Sequence, residues 1–302
     1  MPDRDPHLTP AAQAALDARR AREAQALRAN LRRRRQQVRA RTEGEAMTLS
    51  GCIEMLFVAE HADYPSRIRA CRAAGLGAVE FWRWRDKDIE AIAAASRETG
   101  LPVSVFSVEP GGRLVDPATH GEFLLGLRET IPVAARLGTR RLIVLSGDSL
   151  PGVDVGTQRE AVVAALRVAA PIAADAGVTL LLEPLNTRVD HVGYFLDHTA
   201  DGLDIVDAVA HPAVRLLYDI YHSAMMAEDP AVVLAGRGDR VGYVHAADTG
   251  GRHQPGSGTI DWGHALGTLA GLGYGGPIGL EFRPAGATDA ALRETLAKLT
   301  KS

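Results

Sequence analysis

Four residues in the C-terminal half of this 302-residue sequence combine types and spacing suited to chemistry: Glu183, Asp219, His245 and Glu281. Each directly follows a short apolar run, in Leu181-Leu182-Glu183-Pro184-Leu185-Asn186, Leu217-Tyr218-Asp219-Ile220-Tyr221-His222, Tyr243-Val244-His245 and Gly279-Leu280-Glu281-Phe282-Arg283. An unpaired charge at the end of a buried run costs several kcal/mol, so each needs a compensating partner. Three carboxylates meeting at one point repel one another unless a cation sits among them. With one imidazole they make an oxygen-rich set that suits one divalent metal ion, Mg²⁺ or Mn²⁺ rather than a structural zinc, although Co²⁺ or Zn²⁺ also binds such donors. The competing arrangement gives each acid its own guanidinium, Arg188, Arg252 or Arg283. Four such residues on consecutive runs favour the metal.

Residues that could serve this centre surround it in the sequence. His222 stands three positions after Asp219, on a loop leaving the sixth run, within reach of a molecule bound to the metal. Arg252 and His253 belong to the Gly-rich segment after His245, which could fold over a site and present its guanidinium to a carboxylate or hydroxyls. Trp82 and Trp84 close the second run as pocket wall or as rim packing. Glu54 and Glu80 lie near the ends of the first and second runs, each open to a pocket role or a rim ion pair.

The elements that must position these groups alternate. Eight β-branched or Leu-rich runs can be read: Cys52–Phe57, Ala78–Trp82, Val103–Val108, Leu142–Ser146, Val178–Glu183, Val214–Asp219, Val241–His245 and Ile278–Phe282. Ala-rich amphipathic stretches separate them, and Gly75, Gly100, Gly138, Gly177 and Gly273 precede the next run as left-handed helix ends would. Continuous apolar strands such as Val178–Leu182 imply a sheet covered on both faces, and therefore a parallel one. Eight such units in about 250 residues predict an α/β fold of the (β/α)8 TIM-barrel type, whose chemistry sits at the C-terminal strand ends.

Composition bounds the rest. With 46% hydrophobic and 24% charged residues the chain is globular, which excludes disorder throughout and fibrous repeats. Cys52 and Cys71 cannot build a disulfide framework, no secretory leader is legible and no apolar run is long enough to span a membrane. A cytoplasmic protein is expected. The net charge of −3 conceals a basic stretch: residues 1–46 carry 11 Arg against 6 acidic groups, including Arg32–Arg35. This stretch reads as a helical or disordered extension preceding a barrel domain over 47–302. It could extend a homo-oligomer contact, but without interleaved aromatics it is a poor nucleic-acid arm.

The quoted segments, together with Val244-His245-Ala246-Ala247-Asp248 and Pro255-Gly256-Ser257-Gly258-Thr259-Ile260-Asp261-Trp262, resemble the hydroxypyruvate isomerase family. That family belongs to the xylose-isomerase-like barrel superfamily, with ketose 3-epimerases, inosose dehydratases and the endonuclease IV group. The resemblance covers roughly residues 49–300. It implies a (β/α)8 barrel holding one divalent ion through Glu183, Asp219, His245 and Glu281, with Glu183 and Glu281 also the catalytic acid–base pair and His222 and Arg252 contacting substrate. Two departures are visible. Some hydroxypyruvate isomerases carry Gln where His245 stands, and Ser223-Ala224-Met225-Met226 follows His222 where Met-Gln is frequent. A trinuclear zinc nuclease would need histidines ending the second, third or fourth runs, and none does.

Chemistry follows from the donor set. A divalent ion chelating the carbonyl and adjacent hydroxyl of a small α-hydroxycarbonyl acid or sugar acidifies the carbon-bound hydrogen and stabilises the enediolate. Returning the proton to the neighbouring carbon is aldose–ketose isomerisation; returning it to the opposite face of the same carbon is epimerisation, as in a ketose 3-epimerase. Expulsion of a β-substituent makes a lyase or dehydratase, with His222 or His253 protonating the leaving oxygen. A sugar-binding subunit without turnover is the reading from another class.

Overall fold

In the computed structural model, the description covers residues 48–299. The basic extension expected over 1–46 lies outside the described residues. Eight strands, β1 (Leu49–Cys52), β2 (Ala78–Glu80), β3 (Phe106–Ser107), β4 (Arg141–Val144), β5 (Thr179–Leu182), β6 (Val214–Asp219), β7 (Val241–Ala246) and β8 (Ile278–Leu280), run parallel in the order β2-β1-β8-β7-β6-β5-β4-β3. The open edge is nearly closed by a parallel bridge between Val79 and Val103, in which Val79 N–H donates to Pro102 O and Ser104 N–H to Val79 O. The result is the expected barrel.

Helices pack around it: α1 (Tyr64–Ala73), α2 (Ile89–Thr99), α3 (His120–Leu137), α4 (Val155–Asp175), α5 (Thr199–Val209), α6 (Ile220–Met225), α7 (Pro230–Val233), α8 (Trp262–Gly271) and α9 (Thr288–Leu299). Aspartates start many of them: Asp63, Asp88, Asp154, Asp219, Asp229 and Asp261 each accept a first-turn N–H. The five glycines read as helix ends all have positive φ. Among the described residues no helix is long and apolar enough to cross a membrane.

Two apolar layers result. The outer one, between sheet and helices, joins most buried side chains; the inner one fills the barrel with Val105, Ile143, Leu181, Leu217 and Tyr243. Strand side chains alternate, so the residue two positions beyond an interior residue also points inward. Glu183, Asp219 and His245 stand two positions after Leu181, Leu217 and Tyr243, and so cap the inner layer at its C-terminal end.

Two strands differ from the sequence expectation. The first lies at Leu49–Cys52, not Cys52–Phe57, because the chain turns at Cys52, whose carbonyl accepts from Met55 and Leu56 N–H. Ile53, Leu56 and Phe57 are buried in that turn. The third is a pair of residues, Phe106–Ser107, plus the Val103 bridge, instead of one continuous Val103–Val108 strand.

Candidate active site

Glu183, Asp219, His245 and Glu281 converge, each 5% exposed or less. One donor atom from each lies within 4.8 Å of all the others. His245 directs Nδ1 at the cluster, 3.0 Å from Glu183 Oε1, 3.4 Å from Glu281 Oε2 and 3.8 Å from Asp219 Oδ2. Asp219 divides its oxygens: Oδ1 accepts the His222 N–H at 2.9 Å and so caps α6, leaving Oδ2 to the cluster. A divalent ion among these donors would satisfy three converging carboxyls, of which only Glu281 is closely paired with a guanidinium. The donor set could therefore hold one.

Electrostatics separate the two glutamates. Burial raises the Glu183 carboxyl; His245 opposes that rise, and Glu281 and Asp219 add to it, so it stays well above the usual carboxylate range. Burial also pushes Glu281 up, but Arg252 and then His245 outweigh it and hold that carboxyl well below the usual range. His245 loses by burial, yet Glu281 and Glu80 keep its ring well above an ordinary imidazole.

Arg252 reaches the site from a left-handed backbone, φ 56°, beside Gly250 and Gly251. Its Nη2 donates to Glu281 Oε2 and its guanidinium lies 5.4 Å from the Tyr221 ring centre. Thus the ion-pair alternative holds for Glu281, but Arg252 stands 4.0 Å from Asp219 and pairs with neither Glu183 nor His245.

His222 belongs to α6 and is buried, so it is not on a loop. Its Nδ1 accepts from Asn186 N–H at 3.1 Å and Asn186 Nδ2 at 2.7 Å. Asn186 is itself oriented, because Oδ1 accepts from Val189 and Asp190 N–H and Nδ2 donates to Asp190 Oδ2. Nδ1 must therefore be bare, which places the proton on Nε2, an atom with no hydrogen-bond partner in the protein, 3.8 Å from Asp219 Oδ2. Burial lowers this ring to about 4. It is a neutral donor aimed at the cluster.

Glu183 and Glu281 of the cluster line a cavity of about 650 Å³. Trp82 lines it and donates from Nε1 to Glu281 Oε1 at 2.5 Å, whereas Trp84 Nε1 is tied to Thr130 Oγ1 at 3.0 Å as rim packing. Glu54 is a rim ion pair, 2.7 Å from Lys87 Nζ. His253 turns away and contacts the Arg283 carbonyl. Three residues not singled out in the sequence complete the surroundings. Asp190 accepts from Tyr221 OH at 2.6 Å; Glu109 accepts Trp84 and Arg85 N–H; and His191, whose ring burial and then Arg252 push below the ordinary imidazole range, packs 5.5 Å from His222.

The family model of the xylose isomerase-like TIM barrel matches residues 68–302. The chain belongs to this family. A 2-oxo-tetronate isomerase of Cupriavidus necator is 31% identical over 240 residues, 77% of this chain and 92% of that protein. A putative hydroxypyruvate isomerase of Homo sapiens is 32% identical over 242 residues, 76% of this chain and 87% of that one. These relatives put the chain in the hydroxypyruvate isomerase branch, among the isomerases. A solved structure described as an AP endonuclease of family 2 from Brucella melitensis superposes with a TM-score of 0.77 at 28% identity, covering 84% of this chain and 98% of that one.

Proposed function

We propose that this isomerase moves a proton between adjacent carbons of a small α-hydroxycarbonyl acid, in the manner of hydroxypyruvate isomerase, at one divalent metal centre held by Glu183, Asp219, His245 and Glu281. The observation that carries the reading is the convergence of these four strand-end donors within 4.8 Å, beside a cavity that Glu183 and Glu281 line. A divalent ion held there would polarise the substrate carbonyl and stabilise negative charge developing on its oxygens.

The chain's own groups do the rest. Glu183 and Glu281 are the catalytic acid–base pair: from β5 and from the end of β8 they reach the substrate space, one accepting the carbon-bound proton and returning it to the neighbouring carbon. His222, fixed as the Nε2–H form by Asn186, donates to a substrate oxygen. Arg252 anchors Glu281 and offers the rest of its guanidinium, whose Nε has no partner in the protein, to a substrate carboxylate. Trp82 covers the Glu281 side and excludes water. The cavity exceeds what a three-carbon acid fills, so four-carbon 2-oxo acids belong to the same reading. Mg²⁺ or Mn²⁺ is the proposed ion, and the buried free thiols Cys52 and Cys71 fit a cytoplasmic location.

The second reading is a ketose 3-epimerase, favoured by two glutamates reaching one substrate space from different strands. The test is NMR in D₂O on protein stripped of metal and refilled with Mg²⁺, Mn²⁺ or Co²⁺. Metal-dependent interconversion of hydroxypyruvate and tartronate semialdehyde, or of a 2-oxo-tetronate with its isomer, is expected. Exchange with ketoses alone would replace the isomerase by the epimerase, and no exchange with any of them would reject both.

A further inference from the structure

Below the cluster, Glu80 at the end of β2 is a carboxyl only 2% exposed, inside the barrel and away from every helix end. Burying such a group is costly unless it is paired, and Glu80 is paired on both oxygens. Oε1 lies 3.1 Å from Nε2 of His245, the ring nitrogen opposite the one that faces the cluster, although bent away from a straight hydrogen bond. Oε2 accepts from Tyr243 OH. Beneath it the chain of contacts continues: Tyr243 OH meets Ser104 Oγ at 2.8 Å, Ser104 Oγ meets Ser50 Oγ at 2.7 Å, and Ser104 Oγ also donates to Val79 O at 3.1 Å. The carboxyl is thus held from below by hydroxyls of β7, β1 and the β2–β3 segment.

Room for it comes from β8, on the far side of β1. A Cβ on Gly279 would fall 2.4 Å from Glu80 Oε2, 2.6 Å from Oε1 and 2.6 Å from His245 Cδ2. Where β5, β6 and β7 place Leu181, Leu217 and Tyr243 in the inner layer, β8 places no side chain, and Glu80 reaches into that space toward His245.

From this geometry we infer that Glu80 is the positioning residue for His245, selecting the tautomer whose Nδ1 lone pair points at the metal centre. The inference rests on the metal-centre reading above. A neutral imidazole carries one N–H and one lone pair. If Glu80 takes the N–H at Nε2, Nδ1 is bare toward Glu183, Asp219 and Glu281 and can coordinate; if nothing takes it, Nδ1–H donates to Glu183 Oε1 at 3.0 Å and the ring competes with the ion for that carboxyl. The Tyr243 and serine contacts would satisfy any acceptor at this place, whereas the contact to His245 is the one directed at the site.

The test measures metal affinity and tautomer, not turnover. Mn²⁺ dissociation constants are read by electron paramagnetic resonance for wild type, Glu80→Gln and Tyr243→Phe, with thermal melts of the metal-stripped proteins and side-chain ¹⁵N spectra of His245 in the Mg²⁺ forms. Glu80→Gln keeps the shape but can turn its amide NH₂ toward Nε2, so a loss of about 10–100-fold in Mn²⁺ affinity is expected, with His245 no longer purely in the Nε2–H form. Tyr243→Phe, which loosens the carboxyl without removing it, should lose affinity several-fold, and decides the matter if Glu80→Gln does not fold. Folded variants that bind Mn²⁺ within twofold of wild type and keep the Nε2–H signature overturn the inference and leave the metal centre standing. Wild type that binds no stoichiometric Mn²⁺ overturns the metal centre and this inference with it.

Discussion

Strands β5 and β6, and the ends of β7 and β8, present Glu183, Asp219, His245 and Glu281 to one point, whereas β1, β3 and β4 end in Cys52, Ser107 and Val144, and the neighbouring loops present Trp82 and Glu109 to the cavity. In the β5–β8 half strand pairing fixes Asp219 in register with His245 and His245 with Gly279, and Glu183, Asp219 and His245 sit two residues beyond a packed interior position. In the other half the cavity wall is loop, and Trp82 is 39% exposed while no donor exceeds 5%. The contrast teaches that the barrel itself holds the reactive geometry, while loops set what fits above it. Glu80, at the end of β2, crosses over from the β1–β4 half to His245 in the other.

The largest effect should come from breaking the rigid half. Glu183→Gln or Glu281→Gln is expected to lower kcat by about 10²–10⁴-fold, measured on metal-loaded protein with substrate at saturation. A near-native rate in either variant would remove that residue from proton transfer. Next come two glycines, one in each half. Gly279→Ala forces a Cβ against Glu80 and His245, and Gly126→Ala places one 1.9 Å from the Pro110 carbonyl beneath the cavity wall. Each should lose about 1–3 kcal/mol in urea unfolding, but only Gly279→Ala should also weaken metal binding, while Gly126→Ala should raise KM. Equal effects on metal affinity would erase the distinction between the halves.

Protons sharpen it further. A metal ion bound at the cluster must displace the proton that burial holds on Glu183. Affinity should therefore rise with pH up to the raised Glu183 value, about 7. Calorimetry in two buffers of different ionisation heat should show proton release that is larger at pH 6 than at pH 9; release independent of pH would contradict the raised Glu183. The smallest effect belongs to the wall: Trp82→Phe removes the N–H given to Glu281 but keeps the ring, and should lower kcat/KM only several-fold without changing metal affinity.

The contrast also explains what was legible in the sequence. Glu183, Asp219, His245 and Glu281 stood out because each interrupts an apolar run, and parallel strands buried on both faces leave such runs unbroken elsewhere. His222 and Arg252 were found by proximity to those ends, although His222 proved helical because Asp219 caps α6. The first strand was displaced because Ile53–Phe57 is as apolar as a strand, and composition does not distinguish a buried turn from an extended segment. Glu54 and Glu80 looked alike in sequence; only the register that leaves β1 at Cys52 sends one to Lys87 and the other to His245. Asn186 was visible beside Glu183, but its role needed the ring of His222, 36 positions away. Asp190, His191 and Glu109 lie on loops, where no periodicity reports direction.

The central claim is that the β5–β8 half holds one divalent ion, and diffraction from crystals grown with Mn²⁺, collected near the manganese edge, tests it most directly. The account predicts a single anomalous peak about 2.0–2.3 Å from carboxyl oxygens of Glu183, Asp219 and Glu281 and from Nδ1 of His245. No peak there at full Mn²⁺ occupancy elsewhere, or His245 turned to present Nε2, would contradict it.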